Sequence, residues 1–420
     1  MSTLTAVEPT EAPARATRPF WVLLWALYTT QFIGASFLST GLVGILRDGG
    51  TDLGTLGMLQ LLALVWPLKF LWAPLLDRWS PARTTGHYRS WLLVLQPLMV
   101  LSLLAMALIS DPQDGLWAVI LLAAAFVMFS ATQDIAADAL SVRGLQSHEH
   151  DLGAGVQVGA SYIGTVVGGG LALLVYDAWG WRAAVLLLAL CTAVAMVPVL
   201  RHREAERTAT EPAIGGLSAM FGVLSVPGAK RWALVGVPLV TLGSAAVWSL
   251  VTPALVDAGW SLAFIGTVTS VIAAAPALAA ALLGGQLCSR HGRGVTLLLG
   301  GAVQLAGALC FVPVMWDGIA LPHGAEVLLG ILGACCVLAG YTIMNTGMYA
   351  VNLDLARPGH AGADFTLLSS IAMLGGTIGA SAGLSVAGAA GYGTALVAGL
   401  LAAAAGVLVC RSHPLLARAH

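Results

Sequence analysis

The stretch GLWAVILLAAAFVMFSATQDIAADALSV (115–142) decides the fold class of this chain. It reads as one long apolar helix as far as Gln133 and then places two acids, Asp134 and Asp138, in the same run. A carboxylate at membrane depth is costly, and such acids usually face a cavity where they handle ions or substrates. The stretch therefore predicts a membrane-spanning helix with a functional polar end.

The rest of the chain has the composition of a polytopic membrane protein. Of its 420 residues, 58% are hydrophobic and 9% are charged, whereas soluble domains carry roughly 25% charged residues. Because about 20 apolar residues cross a bilayer, we predict an all-α membrane protein with twelve transmembrane helices. The predicted spans are 20–46, 54–76, 90–110, 115–142, 153–176, 181–200, 232–256, 261–287, 295–316, 324–350, 364–388 and 391–410.

The basic residues lie in alternate interhelical segments. Sixteen of the 19 Lys and Arg residues fall in the two tails and the even-numbered loops. Of the other three, Arg47 and Arg182 lie on the opposite side, and Lys69 lies within a predicted helix. Because Lys and Arg concentrate on the cytoplasmic side of a membrane, we predict a protein of the bacterial inner membrane with both termini in the cytoplasm.

The reactive residue types indicate no cofactor, metal or nucleic-acid site. A net charge of −1 gives no sign of a nucleic-acid partner. All nine histidines fall in predicted loops or tails, which argues against a histidine proton relay within the membrane. The segment HEHD (148–151) could bind a metal weakly, but a solvated loop is the favoured interpretation. A polytopic membrane enzyme, which would need such clusters at one membrane face, is the less favoured class.

The chain also divides into two similar halves. The charged segment 201–231 separates the sixth and seventh spans. APLLDRWSPAR (73–83) and GGQLCSRHGR (284–293) align at an offset of 212 residues, and GTVVG (164–168) matches GGTIG (375–379) at 211. Duplicated halves are typical of secondary transporters. The predicted segments are a cytoplasmic tail (1–19), a first six-helix bundle (20–200), a central cytoplasmic loop (201–231), a second six-helix bundle (232–410) and a cytoplasmic tail (411–420).

The two loop segments resemble the signature of the major facilitator superfamily, a Gly-x-x-x-Asp-Arg-x-Gly-Arg pattern after the second and eighth spans. In the first copy Ala73 and Ser80 stand at the two glycine positions, and in the second copy Ser289 replaces the acid. Twelve spans, a six-plus-six division and a basic central loop agree with this family. The resemblance implies two pseudo-symmetric helical bundles that rock about a central cavity, and we expect a monomer.

Two further segments, KFLWAPLLDR (69–78) and ATQDIAADAL (131–140), are similar to one branch of that superfamily. This branch contains muropeptide permeases, acetyl-CoA transporters and siderophore permeases of the RhtX/FptX type. Muropeptide permeases typically carry two additional spans, so the compact length favours the siderophore permeases. The resemblance implies a secondary transporter that imports a siderophore or its iron complex, and a muropeptide, acyl-CoA-like or drug substrate is the alternative.

The depths of the charged residues predict a coupling site. Lys69 lies roughly 12 Å along a helix from Asp77, and Asp134 lies roughly 13.5 Å from Arg143. If Asp77 and Arg143 mark the same surface, Lys69 and Asp134 share one level near the midplane, where each can offset the other's desolvation. We predict a proton-coupling Lys69–Asp134 pair with Asp138 on the same helix face. Two alternatives stay open, namely snorkelling of Lys69 to the cytoplasm and pairing of a solvated Asp138 with Arg143.

Gating is predicted at the cytoplasmic surface. An acid there can bind a helix N-terminus or Arg143 in one conformation and release it in another. The sequence contains no nucleotide-binding domain, so transport is expected to use an ion or substrate gradient. The predicted gating residues are Asp77, Arg78, Arg143 and Arg290.

The second half lacks deep charges. The offsets match Lys69 to Ala281, Asp134 to Asn345 and Asp138 to Tyr349. We therefore predict that the first half carries the coupling groups and that the second half supplies an aromatic, hydrogen-bonding wall. The predicted residues of the substrate cavity are Gln31, Trp66, Gln133, Trp248, Tyr341, Asn345 and Tyr349.

Overall fold

The computed structural model describes residues 15–51, 55, 59, 61–82, 85–204, 217–315, 322–411 and 416. Both ends of the chain, much of the central loop and the start of the predicted second span lie outside these residues. The principal helices are α1 (Arg18–Asp48), α2 (Leu61–Leu71), α3 (Ala73–Arg78), α4 (His87–Ala107), α5 (Leu116–Gly144), α6 (150–179), α7 (181–201), α8 (Ala229–Asp257), α9 (Phe264–His291), α10 (Arg293–Cys310), α11 (His323–Leu355), α12 (Ala361–Ala390) and α13 (Tyr392–Arg411).

The described helices fit the twelve predicted spans. Ten of the described helices are long and apolar enough to cross a bilayer. One of these ten, His150–Arg201, has 52 residues. It breaks at Gly180, whose φ of 78° and ψ of −178° are not helical, and so supplies the two crossings α6 and α7. Glycine adopts a positive φ without steric cost. With the shorter apolar helix Leu61–Leu71, the predicted all-α fold of twelve spans is confirmed.

The repeated glycine motifs bring equivalent helices together in the two halves. Gly168 on α6 lies against the carbonyl of Ile33 on α1 with no room for a Cβ atom. Gly379 on α12 lies against the carbonyl of Leu242 on α8 in the same way. Lipid tails give no hydrophobic drive for helix association, so such close backbone packing stabilises the bundle. The fifth span thus packs on the first as the eleventh packs on the seventh.

The hydrophobic core is shared at one end of the molecule and divided at the other. One cluster of buried residues joins the halves, for example Leu140 of α5 with Phe365 of α12. Two further clusters belong mainly to separate halves, one around Phe126 and one around Phe311. We call the shared end, where α3, α5, α7 and α11 finish and α4, α6 and α12 begin, the charged end. The halves are packed together at the charged end and have separate cores at the opposite end.

Candidate transport site

Three buried charged residues meet between α2 and α5. Lys69 donates a hydrogen bond from Nζ to Oδ2 of Asp134, and the same Nζ lies 3.5 Å from Oδ2 of Asp138. Each of the three is 1% exposed or less. The two acids stand four residues apart on α5, so both carboxylates project from one helix face. We call Lys69, Asp134 and Asp138 the charge cluster.

Neutral polar side chains surround Asp138. Its Oδ1 accepts a hydrogen bond from the Tyr28 hydroxyl at 3.2 Å and another from Nε2 of Gln157 at 2.9 Å. The Tyr28 hydroxyl also lies 2.8 Å from Oγ of Ser141. Asp138 is therefore held inside the first bundle by α1 and α6, and it is not a solvated acid at a helix end.

Asp134 has a freer carboxylate than Asp138. Its Oδ1 is buried and has no hydrogen-bond partner among the described residues. When fully ionised, the charge cluster carries two negative charges and one positive charge, and one added proton makes it neutral. An unbalanced buried charge is costly. The geometry therefore suits a site that takes up and releases one proton.

A cavity of about 630 Å³ lies between the two halves beside the charge cluster. Four of the predicted cavity residues line it, with Trp66 from the first half facing Tyr341, Asn345 and Tyr349 from the second. Trp66 is three residues from Lys69, so the aromatic wall and the charge cluster are neighbours along α2. The cavity combines aromatic faces, hydroxyl groups and an amide, which suits an organic solute more than a bare ion.

The other three predicted cavity residues lie elsewhere. Gln31 is buried in α1, and its main-chain carbonyl accepts a hydrogen bond from the Ser130 hydroxyl on α5 at 3.3 Å. Gln133 donates from Nε2 to the carbonyl of Leu27 at 3.3 Å and to the hydroxyl of Thr30 at 3.1 Å, and so it ties α5 to α1. Trp248 is half-buried and packs against the core cluster of the second half. None of the three is among the residues that line the cavity between the halves.

Asp77 joins the two halves at the charged end. Its Oδ1 accepts hydrogen bonds from the Tyr88 hydroxyl at 2.7 Å and the Gly362 N–H at 3.1 Å, and its Oδ2 accepts from the Ala363 N–H at 2.8 Å. A carboxylate is stabilised at a helix N-terminus, here the start of α12. Burial nevertheless raises the pKa of Asp77 to about 6, because the hydrogen bonds only partly offset desolvation. The predicted loop position is wrong, since Asp77 lies in the last turn of α3 and is fully buried.

A second set of ion pairs joins the halves nearby. Arg293 at the start of α10 donates from Nε to Oδ1 of Asp151 at 2.7 Å and from its terminal nitrogen to Oδ2 of Asp354 at 2.6 Å. Nδ1 of His150 lies 2.5 Å from Oδ1 of Asp354. The interpretation of HEHD as a solvated loop is therefore wrong, because Glu149, His150 and Asp151 are all buried.

The predicted gating arginines have different surroundings. Arg78 and Arg290 are exposed, and Arg293 rather than Arg290 forms the ion pairs between the halves. Arg143 lies over the Tyr88 ring, 6.0 Å from its centroid, and its terminal nitrogen is 3.5 Å from the carbonyl oxygen of Pro358. Arg143 thus reaches from the first half to the start of the eleventh span.

Comparison with known proteins agrees with this geometry. The family model of the Major Facilitator Superfamily matches residues 20–379. The chain belongs to the major facilitator superfamily. The predicted two-bundle fold of this superfamily is confirmed, and the protein is a multi-pass membrane transporter.

One relative within the superfamily is named a permease for anhydromuropeptides, and another is named a putative transporter. The chain is 30% identical to the anhydromuropeptide permease of Escherichia coli K12 over 374 residues, which is 86% of this chain and 73% of that protein. It is 23% identical to the putative transporter AmpG 4 of Rickettsia felis over 316 residues, which is 69% of this chain and 76% of that protein. These relatives give no support to the predicted RhtX/FptX type and favour the alternative substrate class.

Two solved structures share the fold. The superfamily transporter FucP in the outward conformation superposes with a TM-score of 0.67 at 15% identity, covering 94% of this chain and 98% of that one. A bacterial homologue of the iron transporter ferroportin in an outward-facing state superposes with a TM-score of 0.64 at 16% identity, covering 93% and 98%. At these identities the likeness shows the fold alone.

Several site residues carried little signal in the sequence. Tyr28 and Gln157 are single polar residues in apolar helices, and only their depth near Asp138 would have singled them out. Asp354 and Arg293 lie at helix ends, where acids and bases are commonly solvated. Tyr162, whose hydroxyl lies 2.5 Å from Oγ1 of Thr342 across the halves, reads as an ordinary aromatic of a membrane helix.

Proposed function

We propose that this protein is a proton-coupled secondary transporter that imports a muropeptide-like solute, in which a peptide is joined to an amino sugar. The observation that carries the proposal is the buried charge cluster of Lys69, Asp134 and Asp138 beside a cavity lined by aromatic and amide side chains. Ionisable groups buried at membrane depth commonly form the proton relays of transporters.

The charge cluster supplies the coupling step. With one added proton it is neutral and stable in its buried position, and the halves can then rearrange without an unbalanced charge. Opening of the charged end would hydrate Asp134 and Asp138, and the proton would leave to water. Alternating access by rocking of the two halves would thus carry one proton inward with each solute.

The cavity and the relatives support a sugar–peptide substrate. Trp66, Tyr341 and Tyr349 offer aromatic faces for the apolar face of a sugar ring, and Asn345 offers an amide for peptide groups. The Escherichia coli relative is named an anhydromuropeptide permease. No relative named above is a siderophore permease, so the siderophore prediction has no support beyond the sequence resemblance.

Uptake into vesicles tests the proposal. We expect proteoliposomes with an acidic exterior to accumulate a labelled anhydromuropeptide above its external concentration, and an uncoupler to abolish the accumulation. A ferric siderophore and an acyl-CoA serve as competing substrates in the same assay. Uptake of either of these in preference to the muropeptide would refute the substrate, and accumulation that is insensitive to the proton gradient would refute the coupling.

The charge distribution supports an orientation with the charged end in the cytoplasm. Reporter fusions after Arg89 and Arg207 should then report cytoplasm, and fusions near Asp111 and Asp317 should report periplasm. In this orientation the cavity belongs to a state that is closed toward the cytoplasm, as expected for a transporter waiting for an external solute. A periplasmic signal at Arg207 would contradict the orientation and the direction of import.

A further inference from the structure

A second cleft lies at the charged end of the molecule. It has a volume of about 490 Å³ and is formed by the start of α1, the end of α5 and the end of α7. All three helices belong to the first half. The charge cluster and the cavity between the halves contribute none of its lining residues.

The cleft is strongly basic. Arg15, Arg143, Arg201 and Arg203 line it, and Glu204 is the acid among its described lining residues. Both oxygens of Glu204 already accept backbone hydrogen bonds at the start of α4, from the Tyr88 N–H at 3.2 Å and the Arg89 N–H at 2.7 Å. The carboxylate is therefore turned to α4, and the arginines dominate the charge of the cleft.

The chain leading into α1 is held in place beside this cleft. The Ala16 N–H donates to both carboxylate oxygens of Glu149, at 3.0 and 3.2 Å, and Glu149 is itself buried. Arg15 is 4.0 Å from the same carboxylate and is 85% exposed in its side chain. Arg15 is thus tethered by its neighbour's backbone, while its guanidinium remains accessible to a ligand.

The cleft is bordered by an exposed apolar surface at the ends of α1 and α7. Its floor includes Phe20 and Leu140, which are buried. Beside it, Val22 on α1 and Leu200 on α7 are each 57% exposed and lie within one turn of the helix ends that form the cleft. A ligand with an anionic head and hydrocarbon chains would contact both the arginines and this surface. A soluble phosphate would contact only the arginines.

We propose that this cleft binds the headgroup of an anionic phospholipid of the cytoplasmic leaflet, with the phosphate among Arg15, Arg201 and Arg203 and the chains against Val22 and Leu200. Guanidinium groups form paired hydrogen bonds to phosphate oxygens. Basic pockets between membrane helices on the cytoplasmic side commonly take acidic headgroups. Burial and the charge of Arg89 lower the pKa of His202, so its ring is an uncharged part of the cleft lining. The centroid of this ring lies 5.6 Å from that of the Phe20 ring.

Native mass spectrometry of the detergent-solubilised full chain tests the proposal. We expect phosphatidylglycerol to bind more tightly than phosphatidylcholine. Arg201→Gln with Arg203→Gln should weaken phosphatidylglycerol binding about 25-fold, from about 1 kcal/mol for each arginine near an anionic lipid. The matched control is Lys230→Gln with Arg231→Gln, two exposed basic residues at the same end but outside the cleft, and it should change the affinity less than about threefold.

Each arm separates one explanation from another. Equal losses of affinity for phosphatidylglycerol in the two double variants would mean that binding depends on general surface charge, and this would overturn the proposal. Binding of glycerol 1-phosphate as tight as that of phosphatidylglycerol would mean that the cleft binds a soluble phosphate, and this would overturn the proposed lipid ligand. Both arginines are exposed, so the variant should fold, and an unchanged unfolding temperature in lipid-free detergent checks this. The single charge reversal Arg203→Glu, which should weaken lipid binding further than Arg203→Gln, provides an independent measurement.

Discussion

The two halves of this transporter place different chemistry at equivalent positions. Lys69, Asp134 and Asp77 of the first half correspond to Ala281, Asn345 and Ser289 of the second. The first three are buried and take part in the charge cluster or in the contact between the halves. The second set is neutral at every position, and among the described residues Ser289 donates to the carbonyl of Gln286 in its own helix, at 3.0 Å.

The difference teaches how a duplicated fold divides its work. A proton-coupled site needs groups that change charge, and each such group adds a desolvation cost when buried. In the proposed mechanism, concentrating these groups in the first half limits the desolvation cost to the charge cluster and leaves the second half to shape the cavity. Asn345 and Tyr349 still offer polar atoms at the depth of Asp134 and Asp138, but they keep one charge state throughout the cycle. The comparison predicts that coupling and substrate affinity can be changed separately.

The largest effect is expected when the first half is made as neutral as the second. Asp134→Asn introduces the residue type found at position 345 and removes the freer carboxylate of the charge cluster. Uphill uptake should fall to the level of empty vesicles, while solute exchange down its gradient persists. Uncoupler-sensitive accumulation at the wild-type level in Asp134→Asn would remove Asp134 from the coupling mechanism.

Loss of the ammonium group should act on stability as well as on transport. Lys69→Ala leaves two buried acids without a counter-charge and should lower the free energy of unfolding by about 3 kcal/mol at neutral pH. Because the stranded carboxylate causes the loss, the double variant Lys69→Ala with Asp134→Ala should lose less free energy of unfolding than the two single variants lose together. Unfolding in detergent measures all three variants. Strict additivity would mean that Lys69 and Asp134 do not stabilise each other.

A smaller effect concerns the contact of Asp77 with α12. The pKa of Asp77 is raised to about 6 while the halves are in contact, against 3.8 for the ordinary side chain, so the contact state binds the proton more tightly. A fall in pH therefore favours contact, beginning as the pH passes 6 and ending below 3.8. From pH 7.5 to pH 5 the equilibrium should shift about tenfold toward contact.

Distances between spin labels on α3 and α12 would measure this shift. Asp77→Asn cannot titrate and should remove the pH dependence attributed to this residue. Its counterpart Ser289 gives the matched control, since Ser289→Ala should leave the pH dependence intact. A shift toward separation on acidification would contradict the assigned sign.

The smallest effect is expected from a change confined to the neutral wall. Tyr349→Phe removes one cavity hydroxyl, worth about 1 kcal/mol, and should raise the KM for the solute about fivefold. The ratio of protons to solute should stay the same, because the charge cluster is untouched. Tyr392→Phe alters a hydroxyl bonded to Asp257 at the opposite end and should leave KM unchanged. A change in coupling ratio in Tyr349→Phe would break the proposed division between the halves.

The sequence by itself determined the fold class, the number of spans and the depth of the central charges. Apolar runs and alternating basic loops follow from the bilayer, which acts on each helix separately, so they can be read without knowing how helices pack. Axial rise along a helix is equally local, and it placed Lys69 level with Asp134. The matching glycines at 168 and 379 also mark close helix packing in both halves.

Only the tertiary structure decided which groups meet laterally and which end of the molecule is closed. The rotation of each helix about its axis is set by packing against its neighbours, and the apolar helices of a membrane protein carry little periodicity that reveals it. For this reason Arg293 rather than Arg290 bridges Asp151 and Asp354, and His150 is buried rather than solvated. Gln133 and Trp248 lie away from the cavity, while Tyr28 and Gln157 bind Asp138, because lateral position depends on contacts between distant parts of the chain.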